Sequence, residues 1–83
     1  MFNICGMEVK TKIGLRIKEL RESRKMSQKD LSYSADLDRS YIASVESGNR
    51  NISIINIEKI ALALGFSLKE FFNHARFENV KTD

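Results

Sequence analysis

The chain of 83 residues contains no proline and no tryptophan, and it has a single cysteine, Cys5. Because proline is absent, no position interrupts a helix by lacking a backbone N–H. One cysteine excludes an internal disulfide, and a reduced thiol is typical of a cytoplasmic protein. No apolar run approaches the ~20 residues that cross a bilayer, and charge appears too early in the chain for a secretory signal. We therefore expect a cytoplasmic protein without a membrane partner.

Residues suited to catalysis are scarce as well. His74 is the only histidine, and no second cysteine accompanies Cys5. A zinc site needs several such ligands, and a nucleophilic triad needs a base beside its nucleophile. The sequence therefore predicts no enzyme activity, no metal and no other cofactor, and it places His74 at the surface or in an interface.

The net charge of +3 is unevenly distributed. Residues 1–53 hold ten Lys/Arg against seven Asp/Glu, whereas residues 54–83 hold four of each. An excess of positive charge in the first part suits a surface that faces phosphates, although +3 is also ordinary for a soluble domain. The pattern of helices has to decide between these interpretations.

Apolar residues recur at helical spacing, and β-branched runs flanked by turn signals are absent, so the sequence predicts an all-α fold. We predict five helices. The first spans about 10–25, with Ile13, Ile17 and Leu20 inward, and the second is opened by Ser27 and Asp30, with Leu31 and Ala35 inward. The third runs from the Asp38 cap to about Ser47. The fourth spans 54–64 and is capped by Ser53, with Ile57, Ile60, Ala61 and Leu64 inward, and the fifth is opened by Ser67 and Glu70 and contains Phe71 and Phe72. Residues 1–9 are expected to form a flexible arm in which Met7 is an alternative start, residues 10–77 a single domain, and residues 78–83 a tail.

The stretch 27–48 is the most informative part of the chain. It reads as two short helices joined by a tight turn at Asp36 and Leu37. In the second of them, Ile42 and Val45 lie three apart and must face inward. The residues left on the outer face are short and polar apart from one arginine and one alanine: Arg39, Ser40, Ala43, Ser44 and Ser47. Serine is a poorer helix former than Glu or Lys, but a face of short side chains fits closely into a DNA major groove, so we predict a helix-turn-helix DNA reader.

The run Q-x-x-L-x-x-x-A-x-L-D-R-S-Y-I-x-x-V-E-S-G, residues 28–48, resembles the phage repressor/Cro (XRE) family of helix-turn-helix regulators. The longer tract DRSYIASVESGNRNISIINIEKIALALGFSLKEFF is similar to controller proteins of bacterial restriction-modification systems, and the resemblance covers about residues 10–74. It implies a compact five-helix repressor-like fold and a homodimer that binds double-stranded operator DNA in the major groove. The target would be the promoter of its own gene and of an endonuclease gene, with two dimers on adjacent sites and RNA polymerase as a further partner.

The resemblance also implies roles for matching residues. Base contacts are expected from Arg39, Ser40 and Ser44, and contacts to the DNA backbone from Gln28, Tyr41 and Arg50. Lys29 and Asn51, which lie near these positions in the sequence, are predicted as further backbone contacts. For Arg50, Lys25 and Lys29 a solvated surface charge is an equally good interpretation. Arg21 and Glu46 match a pair that bridges the first and third helices, which would be structural.

The apolar residues beyond position 52 exceed what one helix face needs. Ile55 and Leu62, seven apart, define a second stripe on the fourth helix, and Phe72 and Phe77 follow. These four residues either complete the core or form a dimer interface, and the small size of the chain favours the dimer. The alternative function is an antitoxin or anti-repressor module that uses the same fold to hold a protein partner.

Overall fold

The computed structural model describes residues 5–78 of the chain, with side chains from Val9 onward. It contains α1 (Cys5–Ser23), α2 (Gln28–Ala35), α3 (Arg39–Glu46), α4 (Ile54–Leu64) and α5 (Leu68–Phe72), followed by a 3-10 helix, Ala75–Phe77. Over this range there is no β-strand. The predicted all-α, five-helix fold is therefore confirmed.

Serine caps begin three of the helices. The Ser27 hydroxyl accepts from the Asp30 backbone N at 3.0 Å, and the Ser27 backbone N donates to the Asp30 carboxylate at 3.0 Å. Hydrogen bonding of the Asp30 carboxylate to the Ser27 backbone N–H, and then to the Ser27 side chain, holds the pKa of Asp30 below its usual range. Ser67 and Glu70 form the same reciprocal box before α5, and the Ser53 hydroxyl accepts from the Asn56 N at the start of α4. The three predicted serine caps are confirmed, because they depend only on residues three apart.

Asp38 occupies the N-cap position of α3, but its side chain makes no capping hydrogen bond. The predicted side-chain cap is wrong, although the helix starts where we expected. At the other end Gly48 adopts a left-handed φ of 79°, and its N–H donates to the Val45 carbonyl at 3.0 Å. The C-terminus of α3 is therefore closed by backbone geometry that favours glycine.

Both ends of α1 differ from the prediction. The helix begins at Cys5 and not near Lys10, so residues 5–9, expected in a flexible arm, are helical. No proline is present to stop a helix there. The helix ends at Ser23 because Lys25 turns left-handed with φ 58°, while the Met26 N donates to the Arg21 carbonyl at 3.0 Å. The remainder of the arm, residues 1–4, and the tail beyond Glu78 lie outside the described residues.

The core is built from the inward stripes of α1 to α4 and from Phe71 of α5. Every residue predicted to face inward on the first four helices is buried: Ile13, Ile17, Leu20, Leu31, Ala35, Ile42, Val45, Ile57, Ile60, Ala61 and Leu64. Apolar spacing therefore identified this core correctly.

A buried arginine fastens the C-terminal segment to α1. The Arg16 Nε donates to the Phe71 carbonyl at 2.6 Å, and its Nη2 donates to the Glu70 carbonyl at 2.9 Å. One turn further, Glu19 accepts from the Arg76 guanidinium at 2.8 Å, and His74 Nε2 lies 3.6 Å from the same carboxylate. These contacts position α5 and the 3-10 helix against the bundle.

Candidate nucleic-acid interface

The α2–α3 unit is joined by a turn with defined backbone geometry. Asp36 adopts the left-handed conformation, φ 58° and ψ 49°, and the Leu37 N donates to the Ser32 carbonyl at 2.9 Å. Aspartate tolerates this conformation better than most residues. The turn predicted at Asp36 and Leu37 is therefore confirmed, and it fixes the entry of the chain into α3.

Close backbone approach sets the position of α3 against α1. A Cβ placed on Gly14 would lie 2.5 Å from the Val45 carbonyl oxygen and 2.6 Å from that of Glu46. No other residue has a side chain small enough for this contact. The C-terminal end of α3 thus rests directly on the backbone of α1.

The Arg21–Glu46 pair holds the same end of α3. Arg21 Nε lies 2.7 Å from Glu46 Oε2, and Nη2 lies 3.0 Å from Oε1. The Glu46 carboxylate is buried, and its hydrogen bonds raise the pKa of Arg21. Arg21 also donates to the Met26 carbonyl at 2.8 Å. The structural bridge between the first and third helices is therefore present.

Gln28 joins this network. As the first residue of α2, it donates through Nε2 to Glu46 Oε1 at 3.1 Å. An amide nitrogen carries two hydrogens, so one donor remains for another acceptor. The expected contact of Gln28 with a DNA phosphate stays a prediction. Its hydrogen bond to Glu46 of α3 is a further contact that the sequence did not indicate.

The outer face of α3 carries the residues expected to touch bases. Arg39 and Ser40 are exposed at the first turn, and Ser44 is half-buried one turn later. The Ser44 hydroxyl donates to the Ser40 carbonyl at 2.9 Å, and the Ser47 hydroxyl donates to the Ser44 carbonyl at 2.9 Å. Because these hydroxyls fold back onto the helix, the face stays low apart from Arg39. Each serine oxygen keeps a lone pair for an outside donor.

A cluster of three side chains joins α3, the following loop and α4. The guanidinium of Arg50 lies 4.9 Å from the centroid of the half-buried Tyr41 ring, and Asn56 Nδ2 donates to the Tyr41 hydroxyl at 3.0 Å. Tyr41 and Arg50, both expected to contact the DNA backbone, are thus brought together. Asn56 was missed by the sequence analysis.

The other expected backbone contacts lie apart from this cluster. Lys29 is exposed on α2, and Asn51 is exposed in the loop after α3. Within the range 5–78 no hydrogen bond, ion pair or ring contact links either side chain to Tyr41 or Arg50. Lys25 is exposed between α1 and α2. For Lys25 and Lys29, contact with the DNA backbone and a solvated surface charge both remain open as interpretations.

Comparison with known proteins identifies the fold. Residues 17–71 match the helix-turn-helix family. The control protein C.MunI from a Mycoplasma species is 42% identical over 67 residues, which are 80% of this chain and 90% of that protein. The chain belongs to the helix-turn-helix family, among its restriction-modification control proteins.

Solved structures of helix-turn-helix controllers have the same fold. The controller C.AhdI from Aeromonas hydrophila superposes with a TM-score of 0.73 at 44% identity, covering 76% of this chain and 96% of that one. The controller C.Esp1396I, solved as a tetramer with its natural 35 base-pair operator, gives a TM-score of 0.73 at 38% identity, covering 76% and 83%. The resemblance seen in the sequence is therefore confirmed at the level of family and fold.

A second surface of this helix-turn-helix protein is apolar. Ile55 and Leu62 on α4 are 67% and 63% exposed, and Ile54 beside them is 59% exposed. Phe72 and Phe77 are half-buried and pack edge to face, with ring centroids 5.0 Å apart. The stripe of Ile55 and Leu62 is thus open, whereas both phenylalanines largely complete the core. Ile54 lies outside the predicted stripe, because it does not share the seven-residue spacing of Ile55 and Leu62.

Among the residues that the structure describes, no helix is long and apolar enough to span a bilayer. The same residues hold no group of three or more metal-ligating side chains.

Proposed function

We propose that this protein is a sequence-specific DNA-binding regulator that controls a restriction-modification operon. The observation that carries the proposal is the outer face of α3, a low serine surface headed by the exposed Arg39. The opposite face of α3 is buried through Ile42 and Val45. Such a helix can enter a major groove, which admits one α-helix. The similarity to the control protein C.MunI supports the same conclusion.

Base selection is assigned to Arg39, Ser40 and Ser44. The Arg39 guanidinium lies at the helix N-terminus, the end that reaches base edges in this motif, and it can donate to guanine O6 and N7. Phosphate contacts that set the register are assigned to Gln28, Lys29, Tyr41, Arg50 and Asn51. The stacking of Arg50 on Tyr41 supports a shared role for those two residues.

The active form is proposed to be a homodimer paired through α4. Ile55 and Leu62 present two large apolar side chains on one stripe, and burial against a second copy would remove them from water. Phe72 and Phe77 would contribute only their exposed edges. A two-fold dimer would place the two α3 helices ~34 Å apart, one turn of DNA. The C.Esp1396I tetramer on its operator supports two dimers on adjacent sites.

Residues 10–77 form the single DNA-binding and dimerisation domain in this proposal. The protein acts in the cytoplasm on the promoter of its own gene and of an endonuclease gene, without catalysis of its own. RNA polymerase is the proposed further partner, since a regulator of a promoter works beside that enzyme.

Footprinting on the DNA upstream of the protein's own gene tests the proposal. At each dimer site the purified protein should protect two segments whose centres lie ~34 Å apart, because each subunit reads one major groove. A fragment of the same length and shuffled sequence is the control. Equal protection of both fragments, or of neither, would contradict a sequence-specific regulator.

A further inference from the structure

We propose that Asn56 is a positioning residue that aims the Tyr41 hydroxyl hydrogen at the DNA. This inference rests on the proposed function, because it needs an operator facing α3. It adds Asn56, a residue of α4, to a reading surface that otherwise belongs to α2, α3 and the loop after α3.

The geometry joins three elements at one point. Asn56 Nδ2 lies 3.0 Å from the Tyr41 hydroxyl oxygen. The Arg50 guanidinium covers the Tyr41 ring at 4.9 Å from its centroid. Tyr41 is therefore held both at its ring and at its hydroxyl, and its ring also packs against the buried core.

The direction of the hydrogen bond decides what the hydroxyl can do. A tyrosine hydroxyl has one hydrogen and also accepts, whereas an amide nitrogen only donates. Since Asn56 donates, it occupies an acceptor position of the oxygen and leaves the hydroxyl hydrogen unused. Phosphate oxygens only accept hydrogen bonds, as do the O6 and N7 atoms of guanine. The arrangement thus leaves Tyr41 with a donor for the groups that DNA presents.

Asn56 projects from a fixed position. Its backbone N–H donates to the Ser53 hydroxyl at 3.1 Å, which closes the first turn of α4. The neighbouring Ile57 is buried in the core. The side-chain amide therefore starts from a rigid turn, and the free energy of ordering Tyr41 is spent on folding before DNA arrives.

A double-mutant cycle on the operator tests this assignment. Asn56→Ala removes the donor, and Asn56→Asp keeps the shape but replaces the donor by an acceptor, so that the Tyr41 hydroxyl hydrogen turns towards the carboxylate. Both changes are made with Tyr41 and with Tyr41→Phe, which keeps the ring under Arg50. The added negative charge of Asn56→Asp acts in both backgrounds and cancels in the cycle.

With Tyr41 present, Asn56→Ala should weaken operator binding by about three- to tenfold, the usual size of one hydrogen bond, and Asn56→Asp should weaken it more. With Tyr41→Phe, Asn56→Ala should change the affinity by less than about twofold, and the extra loss from Asn56→Asp should shrink to its charge effect. Thermal unfolding of the unmodified protein, Asn56→Ala, Tyr41→Phe and the double variant provides the folding control.

Equal losses in both backgrounds would overturn the inference, because Asn56 would then act through stability or through its own DNA contact. Full affinity of Asn56→Ala with Tyr41 present would overturn it as well. Should Asn56→Ala fail to fold, the isosteric Asn56→Asp carries the cycle alone. The proposed function fails separately, if the unmodified protein does not prefer the operator to random DNA.

Discussion

The exposed faces of α3 and α4 differ in chemistry, although both helices bury similar inner stripes. The outer face of α3 carries Ser40 and Ser44 behind Arg39, whereas that of α4 carries the exposed Ile55 and Leu62. Inner faces are alike because both helices must pack on one core. The outer faces do not have to pack on the core, so their composition is free to follow what the protein binds.

The short polar side chains on α3 and the protruding apolar side chains on α4 suit different partners. Serine hydroxyls and one guanidinium can approach base edges closely and donate to them. Two exposed branched side chains of about 65% exposure gain most from burial against another apolar surface. This difference supports the proposal that α3 contacts DNA and that α4 contacts a second copy of the chain.

The largest effect should come from changing the α4 face. The double variant Ile55→Glu, Leu62→Glu places two charges in the proposed interface and removes apolar burial of about 3 kcal/mol or more, so it should sediment as a monomer where the unmodified protein is a dimer. Tyr33→Glu is the matched control, since Tyr33 is 90% exposed on α2 and should stay dimeric. A double variant that is folded and still dimeric would place the interface elsewhere.

A smaller effect is expected where α3 rests on α1. Gly14→Ala puts a methyl group against the Val45 and Glu46 carbonyls, so α3 must shift. We expect the free energy of unfolding to fall by about 1–3 kcal/mol, even though alanine is the better helix former. Urea unfolding measures it, with Lys18→Ala on the exposed side of α1 as control. A gain in stability would mean that α3 does not need this close contact.

The smallest effect concerns the segment after α5. Slight burial opposes the charged form of Glu19, but hydrogen bonds from Arg76 and Arg16 outweigh it, and the pKa of that carboxyl lies below its ordinary value. A lowered folded-state pKa contributes stability that is present above the unfolded pKa and is lost as pH falls through the folded one. Since Glu19 is nearly half exposed, we expect only a few tenths of a kcal/mol.

Comparison of the unmodified protein with Glu19→Gln measures this contribution. The unmodified protein should be slightly more stable near neutral pH, and the two curves should meet in acid. A difference in the free energy of unfolding that is the same at every pH would show that ionisation of Glu19 does not stabilise the fold.

Local rules predicted much of this fold. The boxes at Ser27 and Ser67 and the turn at Asp36 depend on residues within one turn of each other, so the sequence carries them directly. Inward stripes follow from helical periodicity alone. The start of α1 was placed too late, because residues 5–9 show no periodic pattern although nothing in them breaks a helix.

Features that depend on distant residues were not predictable in this way. Arg16 reads as a surface charge, yet it is buried because two carbonyls at the end of α5 accept its hydrogen bonds. Gly14 reads as a weak helix residue until the carbonyls of α3 are seen beside it. Asn56 meets Tyr41 only through the packing of α4 on the unit formed by α2 and α3. The sequence therefore predicted the candidate residues on α3 and the Arg21–Glu46 bridge that holds this helix, but not the contacts made by Gly14, Arg16 and Asn56.

The ratio of operator affinity to random-DNA affinity for Arg39→Ala decides whether the outer face of α3 reads base sequence. We predict that the ratio falls by about 5- to 150-fold, because a bidentate contact to guanine is lost, while random-DNA binding changes little and the protein stays dimeric. Lys18→Ala, an exposed charge on α1, should leave the ratio unchanged. Equal weakening on both DNAs would show that Arg39 contacts phosphate, and the outer face of α3 would then not be the surface that reads sequence.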